Sequence, residues 1–424
     1  MVATGDIMLA RPPLTVSNPD EPNSIQSLLS DADIALANLE NVLVDATTFD
    51  GHPKPNPDGA WLVGHPSTAE TLRAAGFDIL SLANNHAGDL GFNGLKKTAD
   101  HLKQSGLKHS GTGQNLTEAR SPAVFEKGKM DVAMISATVS FPDRARAKNA
   151  PGNLSQSWSH PGVFGLRVKR FLHLGKSRFE GLKTYLKSHP LRQNFRNSKS
   201  RNVLNIFGVH FREGTQKKYS YQPNANDLRI FMKSIKQADR NHDLVIVSLH
   251  AHQPGNWSDK PADFIRTVAH RAVEAGADKV FGHGPHRLRG IEIYQSSPIL
   301  YSLGNFAFQF EQFQPRRVDA YARSREETNR KDITLPRKIY EKLGINKRWY
   351  EGVIARTRFR DEGFQSLVLH PISLGYDHNG PRRGRPRLAQ VQKAQSILKR
   401  LKGLSEDFGT TVEIKSNRGF IRND

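Results

Sequence analysis

Residues Asp278–Phe308, DKVFGHGPHRLRGIEIYQSSPILYSLGNFAF, decide how the chain is read. The apolar run Lys279–Phe281 predicts a buried strand that stops at Gly282. An irregular loop carrying His283 and His286 follows, and then two more strands, Gly290–Tyr294 and Ile299–Ser302. Gly282, Gly284 and Pro285 predict that both imidazoles leave the sheet from that loop, since neither helix nor strand runs easily through them. A loop at a strand end is a common place to hold a metal or substrate. A His-x-x-His pair alone fits two hydrogen-bonded loop histidines equally well, so the weight falls on the other stretches.

Four of these repeat the arrangement. Val2–Leu9, VATGDIML, is an apolar strand interrupted at Gly5-Asp6, which predicts Asp6 at a strand end. Ile34–Leu39 has Glu40 at its carboxyl end, and Phe77–Leu82 delivers Asn84, Asn85 and His86. Leu244–Leu249 ends in His250 and His252. Between these strands the periodicity predicts helices over Ile25–Leu29, Ser67–Ala75, Phe92–Ser105, Asp227–Ala238 and Asp263–Ala275, three of them closed by Gly76, Gly106 and Gly276. Val124–Glu126 and Asp131–Ala137 read as a hairpin. Short apolar strands alternating with Gly-terminated helices define an α/β protein.

Residues 143–223 break the alternation. They are rich in Asn, Ser, Arg and Lys, with amphipathic pieces such as Phe179–Leu186, and are expected to be an insertion, part helical and part mobile. After Phe310 a polar, Arg-rich stretch runs to Arg348. Strands over Gly352–Arg360 and Gln365–Pro371 follow, joined by the turn Asp361-Glu362-Gly363. A Gly380–Pro386 linker then leads to a basic helix, Leu388–Leu401. The expected organisation is a domain over 1–310 containing the insertion, and a basic C-terminal extension over 311–424.

The chain has 62 Lys and Arg against 41 Asp and Glu, a net charge of +21, and no cysteine. Disulfides, thiolate metal sites and Cys nucleophiles are therefore excluded. The charge is uneven: residues 165–218 carry +12 and 311–424 carry +11, outside the segments with the candidate ligands. Such patches suit an anionic polymer, a phosphorylated or acidic peptide substrate, nucleic acid or an anionic membrane face, with a merely solvated surface as the plain alternative. No RNA- or DNA-binding motif appears, and the basic stretches lack paired aromatics, so nucleic acid is not the expected partner. No run reaches the length of a membrane span. Nor does a basic and apolar leader precede Val2, so the chain as written is expected in the cytoplasm. A leader lost upstream would instead place it at the membrane or outside.

Asp6, Glu40, Asn85, His86, His250, His252, His283 and His286 are all oxygen or imidazole donors. The set suits one or, more in keeping with its size, two divalent ions (Mn, Zn, Fe or Mg), with Glu40 or Asp6 as a bridge. Such a centre can polarise a phosphoryl or acyl oxygen and activate water. Each strand-end His or Asn alone could be a hydrogen-bonded core residue; eight at successive strand ends make that reading weak for the set.

The ordered motifs GDIML, ANLEN, SLANNHAGDLG, a His after an apolar strand, GAD-x-VFGHGPH, IEIY and ILYSLGNF resemble the CapA family, bacterial proteins linked to poly-γ-glutamate or capsule synthesis. That family is itself similar to the calcineurin-like metallophosphoesterases. The match spans Val2–Phe310, and SxxFGT at Ser405–Thr410 resembles the tail of one subgroup. The resemblance implies a four-layer α/β/β/α metallo-dependent phosphatase-like sandwich with a basic insertion and a C-terminal extension. It also implies a first metal ligand at Asp6, a bridging carboxylate at Glu40, an Asn ligand at Asn85, a catalytic His at His86, and ligating histidines at His250, His283 and His286. From their places in the sequence, apart from the resemblance, Asn84 and Asn305 are expected to face substrate, with capping and packing of the strand loop as the plain alternative for Asn305. The chain departs from the phosphoesterase pattern in two places: Asp6-Ile7-Met8 stands where Asp-x-His is usual, and Glu replaces Asp at the bridge. His252 could supply the missing ligand. Expected functions are a metal-dependent hydrolase or accessory enzyme of poly-γ-glutamate or capsular polymer synthesis, then a cytosolic phosphoesterase, a peptide Cα epimerase and, from another class, a non-catalytic polyanion-binding module.

Overall fold

The structure, a computed structural model, describes residues 1–10, 24–54, 61–128, 130–152, 154–188, 202–214, 219–310, 345–360, 363–378 and 382–423. Most of the Arg-rich stretch after Phe310, the first two turn residues after Arg360 and the start of the Gly380–Pro386 linker lie outside these residues.

The described chain is a mixed α/β protein with two large sheets. In the first, Lys108–Ser110, Ile79–Ser81, Ala35–Leu39 and Val2–Met8 run parallel, and Val2–Met8 then pairs antiparallel with Glu351–Arg360. Gly363–Ser373, Arg418–Arg422 and Glu413–Lys415 continue that edge, and Asn305–Phe308 pairs parallel with Val2–Met8. The two strands expected after residue 350 thus belong to the same sheet as the N-terminal strand, with three further short strands beside them. The second sheet has the order Leu288–Tyr294, Ser297–Leu303, Lys279–His283, Leu244–His250, Met130–Thr138, Ala123–Lys127.

Alternation along each strand divides the core. Leu36, Ile79, Met134, Ile246 and Phe281 join one cluster with side chains from both sheets. Their neighbours Ala35, Ala37 and Leu80 turn the other way, onto the helices Ile25–Ser30, Thr68–Ala74 and Gly91–Gln104. Ile135, Val245, Val247 and Val280 likewise pack on the helices Ala225–Asp239 and Asp263–Glu274. The period of two in the side-chain direction produces this division. The Val391–Glu406 helix closes the central cluster with Ile397, Leu398 and Leu401.

Three local expectations are corrected. The strand at Lys279 does not stop at Gly282; it continues to His283, which pairs in register with His250 of the neighbouring strand. Gly282 is required because a Cβ there would lie 2.6 Å from the Tyr301 carbonyl oxygen of the next strand. Only His286 is in the loop, at φ 55°. Asp6 is not at a strand end either: the strand runs on through Ile7 and Met8, and the register shifts on both sides of Asp6 bend it there. Within residues 143–223, the described part holds the expected helical piece, as Lys176–Ser188, but also a four-stranded sheet of Val203–Ile206, Val209–Glu213, Val168–Leu174 and Tyr219–Pro223.

Candidate metal centre

The centre forms where the two sheets bring their strand ends together. Adjacent parallel strands place His250 and His283 side by side, with their Nδ1 atoms 3.0 Å apart. From the other sheet Asp6 reaches toward them: its Oδ1 accepts from Asn38 Nδ2 at 2.8 Å, its Oδ2 accepts from the Gly284 amide at 3.0 Å, and Oδ1 lies 3.7 Å from His283 Nδ1. Asp6 Oδ2 is 3.4 Å from His286 Nδ1. The close approach of backbones behind Asp6 is permitted by Gly5, since a Cβ at that position would stand 1.8 Å from the Gly304 carbonyl oxygen.

Glu40 follows its strand directly and is fully buried. Its Oε1 is 3.6 Å from His250 Nε2 and its Oε2 3.8 Å from His286 Nδ1, yet neither oxygen accepts a hydrogen bond. His252, two residues past His250, aims Nε2 at the same place, 3.0 Å from His250 Nε2 and 3.2 Å from Asn85 Oδ1. His250 Nε2 also lies 2.9 Å from Asn85 Oδ1. Three trios with potential ligand atoms within 4.8 Å of one another result: Asp6–His250–His283, Glu40–His250–His252 and Asp6–Glu40–His286.

The electrostatics of this cluster are those of a cation site. Burial, followed by the charges of its neighbouring histidines, drives His250 well below the usual imidazole range. Burial pushes His252 down to about 3 and His283 to about 4. These imidazoles are thus neutral and offer lone pairs. Burial works to raise the Asp6 carboxyl, but its contacts with His286, His283 and Asn38 hold it below the usual carboxylate range. Glu40 is raised well above it, first by burial and then by Asp6 and Asp89. A buried carboxylate with both oxygens unpaired is costly without a positive partner. The donor set, all oxygen and nitrogen, fits a divalent ion of the Mn, Zn, Fe or Mg kind.

The orienting contacts around this centre mostly escaped the sequence. Ser248 Oγ lies 2.7 Å from His283 Nε2, and Asn256 Oδ1 2.7 Å from His252 Nδ1. Buried Arg289 donates to the carbonyl oxygens of His252 at 3.0 Å and of Ala251, Gly255 and Ser258 at 3.4 Å, tying down the segment that carries His252. His86 Nδ1 is 2.8 Å from Asp89 Oδ2, and Lys54 pairs with Asp89 Oδ1 at 2.7 Å. Asp89 stands in the same NNHAGD run as His86, which was the available signal. Nothing in the sequence points to Lys54.

Asn84 and Asn305, expected to face substrate, turn inward. Asn84 Nδ2 donates to Leu39 O and Asn38 Oδ1, and its Oδ1 accepts from the His86 amide. Asn305 Oδ1 lies 3.1 Å from His286 Nδ1 and its Nδ2 donates to Trp349 O, so it orients a histidine. A cavity of about 530 Å³ opens over the centre. Asn85, His86, His252 and His286 form its polar wall, and Met8, Leu62, Phe141, Phe308 and Trp349 are among its apolar side.

A family model described as bacterial capsule synthesis protein PGA_cap matches residues 1–310. The uncharacterized protein y4sH of Sinorhizobium fredii (strain NBRC 101917 / NGR234) is 35% identical over 438 residues, which take in 100% of this chain and 92% of that protein. The PGA biosynthesis protein CapA of Bacillus subtilis (strain 168) is 25% identical over 310 residues, 72% of this chain and 62% of its own length. The crystal structure of a hypothetical protein from Thermus thermophilus superposes with a TM-score of 0.38 at 11% identity, covering 87% of this chain and 97% of that one. With the matched segment running through both sheets and every residue of the buried histidine and carboxylate cluster, the chain belongs to the PGA_cap family of bacterial capsule synthesis proteins.

Proposed function

We propose that this chain is a metal-dependent accessory enzyme in the synthesis of an anionic capsule-type polymer such as poly-γ-glutamate, acting by hydrolysis or transfer at an acyl linkage. The observation that carries the reading is Glu40, whose two buried oxygens lack donors and face His250 and His286. Asp6, Glu40, Asn85, His250, His252, His283 and His286 would hold one or two divalent ions. Such an ion supplies Lewis-acid polarisation of an acyl or phosphoryl oxygen and makes water a nucleophile at neutral pH. The three core clusters support a helix–sheet–sheet–helix stack, which would set these residues at the rim between the sheets.

The rest follows from the protein's own groups. His86 lines the cavity with Nδ1 taken by Asp89, which leaves Nε2 for a proton delivered to the leaving atom. Burial favours protonation of Asp89, but His86 and Lys54 keep it ionised, so it fixes the tautomer of His86. Phe141, Phe308 and Trp349 would give the substrate an apolar wall to lie against beside the reacting bond. A phosphoester substrate is the second reading. It ranks lower because the described lining carries no Lys or Arg to meet the remaining phosphoryl charge.

The test is elemental analysis of purified protein beside His283→Ala, with metal-loaded samples assayed on γ-glutamyl polymers and on generic phosphomono- and diesters. Bound divalent metal lost in the variant, with turnover of the polymer, supports the reading. Turnover of phosphoesters alone moves the assignment to the second, and no metal uptake under any loading overturns both.

A further inference from the structure

The helix Ala225–Asp239 carries Arg229, Lys233 and Lys236 on its exposed side, with Arg240 at its C-cap. Their spacing of four, three and four residues sets them in one row along the axis. Arg271 of the neighbouring Asp263–Glu274 helix joins them around an open groove of about 700 Å³ whose lining has no acidic residue. Arg229 donates to Asn226 Oδ1 at 2.8 Å, and among the described residues none of the five forms an ion pair. Like charges four residues apart oppose helix formation, so this row weakens the isolated protein and is relieved by a bound anion.

The row leads toward the histidines. Ala225, one turn before Arg229 on the same face, lines a groove of about 1410 Å³ between the inserted sheet and the core. There Lys169 and Arg212 stand beside Asp143 and Glu213, and Arg167 is paired with Asp227. Phe141 is common to the inserted groove and to the 530 Å³ cavity that holds His86 and His252, and Ala225 places the start of the basic helix at that groove.

We propose that the face of Arg229, Lys233, Lys236, Arg240 and Arg271 is a docking track for a linear polycarboxylate chain, which the inserted groove passes on to the histidine cavity. This rests on the polymer reading above and adds where the chain is gripped. Three features select the occupant. The cations recur about every 4.5–6 Å along the helix, and a chain with five backbone bonds per carboxylate extends roughly 6 Å per unit. No aromatic lines the track, so stacked nucleic-acid bases have no platform. Leu228, Phe231 and Ile235 of this helix are buried against the second sheet, so no apolar face is left to enter a lipid surface.

The experiment measures fluorescence anisotropy of end-labelled poly-γ-glutamate with full-length wild type, the Lys233→Glu/Lys236→Glu double variant and His283→Ala, each at rising salt. Expected is salt-weakened binding to wild type, a Kd raised about tenfold or more in the double variant, and retention in His283→Ala. The double variant should keep the wild-type metal content and melt no lower than wild type, since each new Glu stands four residues from Arg229 or Arg240. Equal binding by wild type and the double variant overturns the track while leaving the polymer reading intact. If wild type fails to bind the polymer at all, the polymer reading falls and the track with it. Tighter binding to oligo(dT) or to phosphatidylglycerol vesicles than to polyglutamate overturns the assigned occupant.

Discussion

Glu40 Oε1 lies 3.6 Å from His250 Nε2, and no donor reaches either oxygen of that carboxyl. The metal-free protein therefore bears a buried, unsatisfied acid whose pKa is raised by burial first and then by the second carboxylate, Asp6. Glu40→Gln keeps the shape, offers an amide that can donate where the acid had no partner, and cannot become the carboxylate a cation requires. Metal-free Glu40→Gln should be more stable than metal-free wild type by about 1–3 kcal/mol. Saturating Mn or Zn should reverse the order, because wild type, with the charged ligand, gains more from the ion. Thermal melts with and without metal check this; a variant less stable in both states would contradict it.

His86 and Asp89 are expected to act as one unit. His86→Asn should leave metal content unchanged and lower turnover by about 10²–10⁴. Asp89→Asn removes the group that fixes the His86 tautomer and also frees Lys54 from its ion pair. The double variant should then be no slower than His86→Asn alone. Steady-state rates on one metal-loaded series decide the matter, and additive losses would separate the two residues.

How much of this was legible depended on whether a residue acts through its place on a strand or through a distant neighbour. Asp6, Glu40, Asn85, His250 and His283 could be grouped from sequence because each stands at or near the end of an apolar run. Which way a side chain faces was less visible: Asn305 pairs in register with Asp6 and turns to His286, so it lies beneath the histidines rather than over them. Trp349 reaches His286, its ring centroid 4.6 Å away, from a segment read as an appendage. The inserted sheet escaped because its strands are half exposed; Val209–Glu213 has no fully buried residue, so the alternation that reveals a strand is missing.

Arg289 is the tie that holds His252 in place. Its guanidinium reaches four carbonyl oxygens between Ala251 and Ser258. Lys can satisfy fewer of them from one point charge. Arg289→Lys should fold, with stability lowered by about 1–3 kcal/mol and metal affinity by about 10–100-fold. Competition with a chelator of known affinity reads the second effect; unchanged affinity would show that the segment holds its shape unaided.

Lys279 provides a pH test remote from the ligands. It is fully buried, donates to Thr357 Oγ1 at 2.6 Å, and burial pushes its amine from 10.5 down to about 7. Between these two values the unfolded chain holds a proton that the folded chain has released, so stability rises with pH across that window. The slope from this residue is about 1.4 kcal/mol per pH unit, and below pH 7 its destabilisation is complete. The Met1 amine, lowered to about 6, acts in the same direction only up to its ordinary value of 8.0. The interval from pH 8 to 9 is clear of Met1, and because burial also lowers Arg289 to about 9, the difference in slope between wild type and variant there is what reports Lys279. Lys279→Met should remove the slope there and, although it leaves Thr357 without this donor, raise stability at pH 7 by about 1–4 kcal/mol. Urea denaturation at pH 7, 8 and 9 would show it. Parallel pH dependence in wild type and variant would mean that Lys279 remains charged in the folded protein.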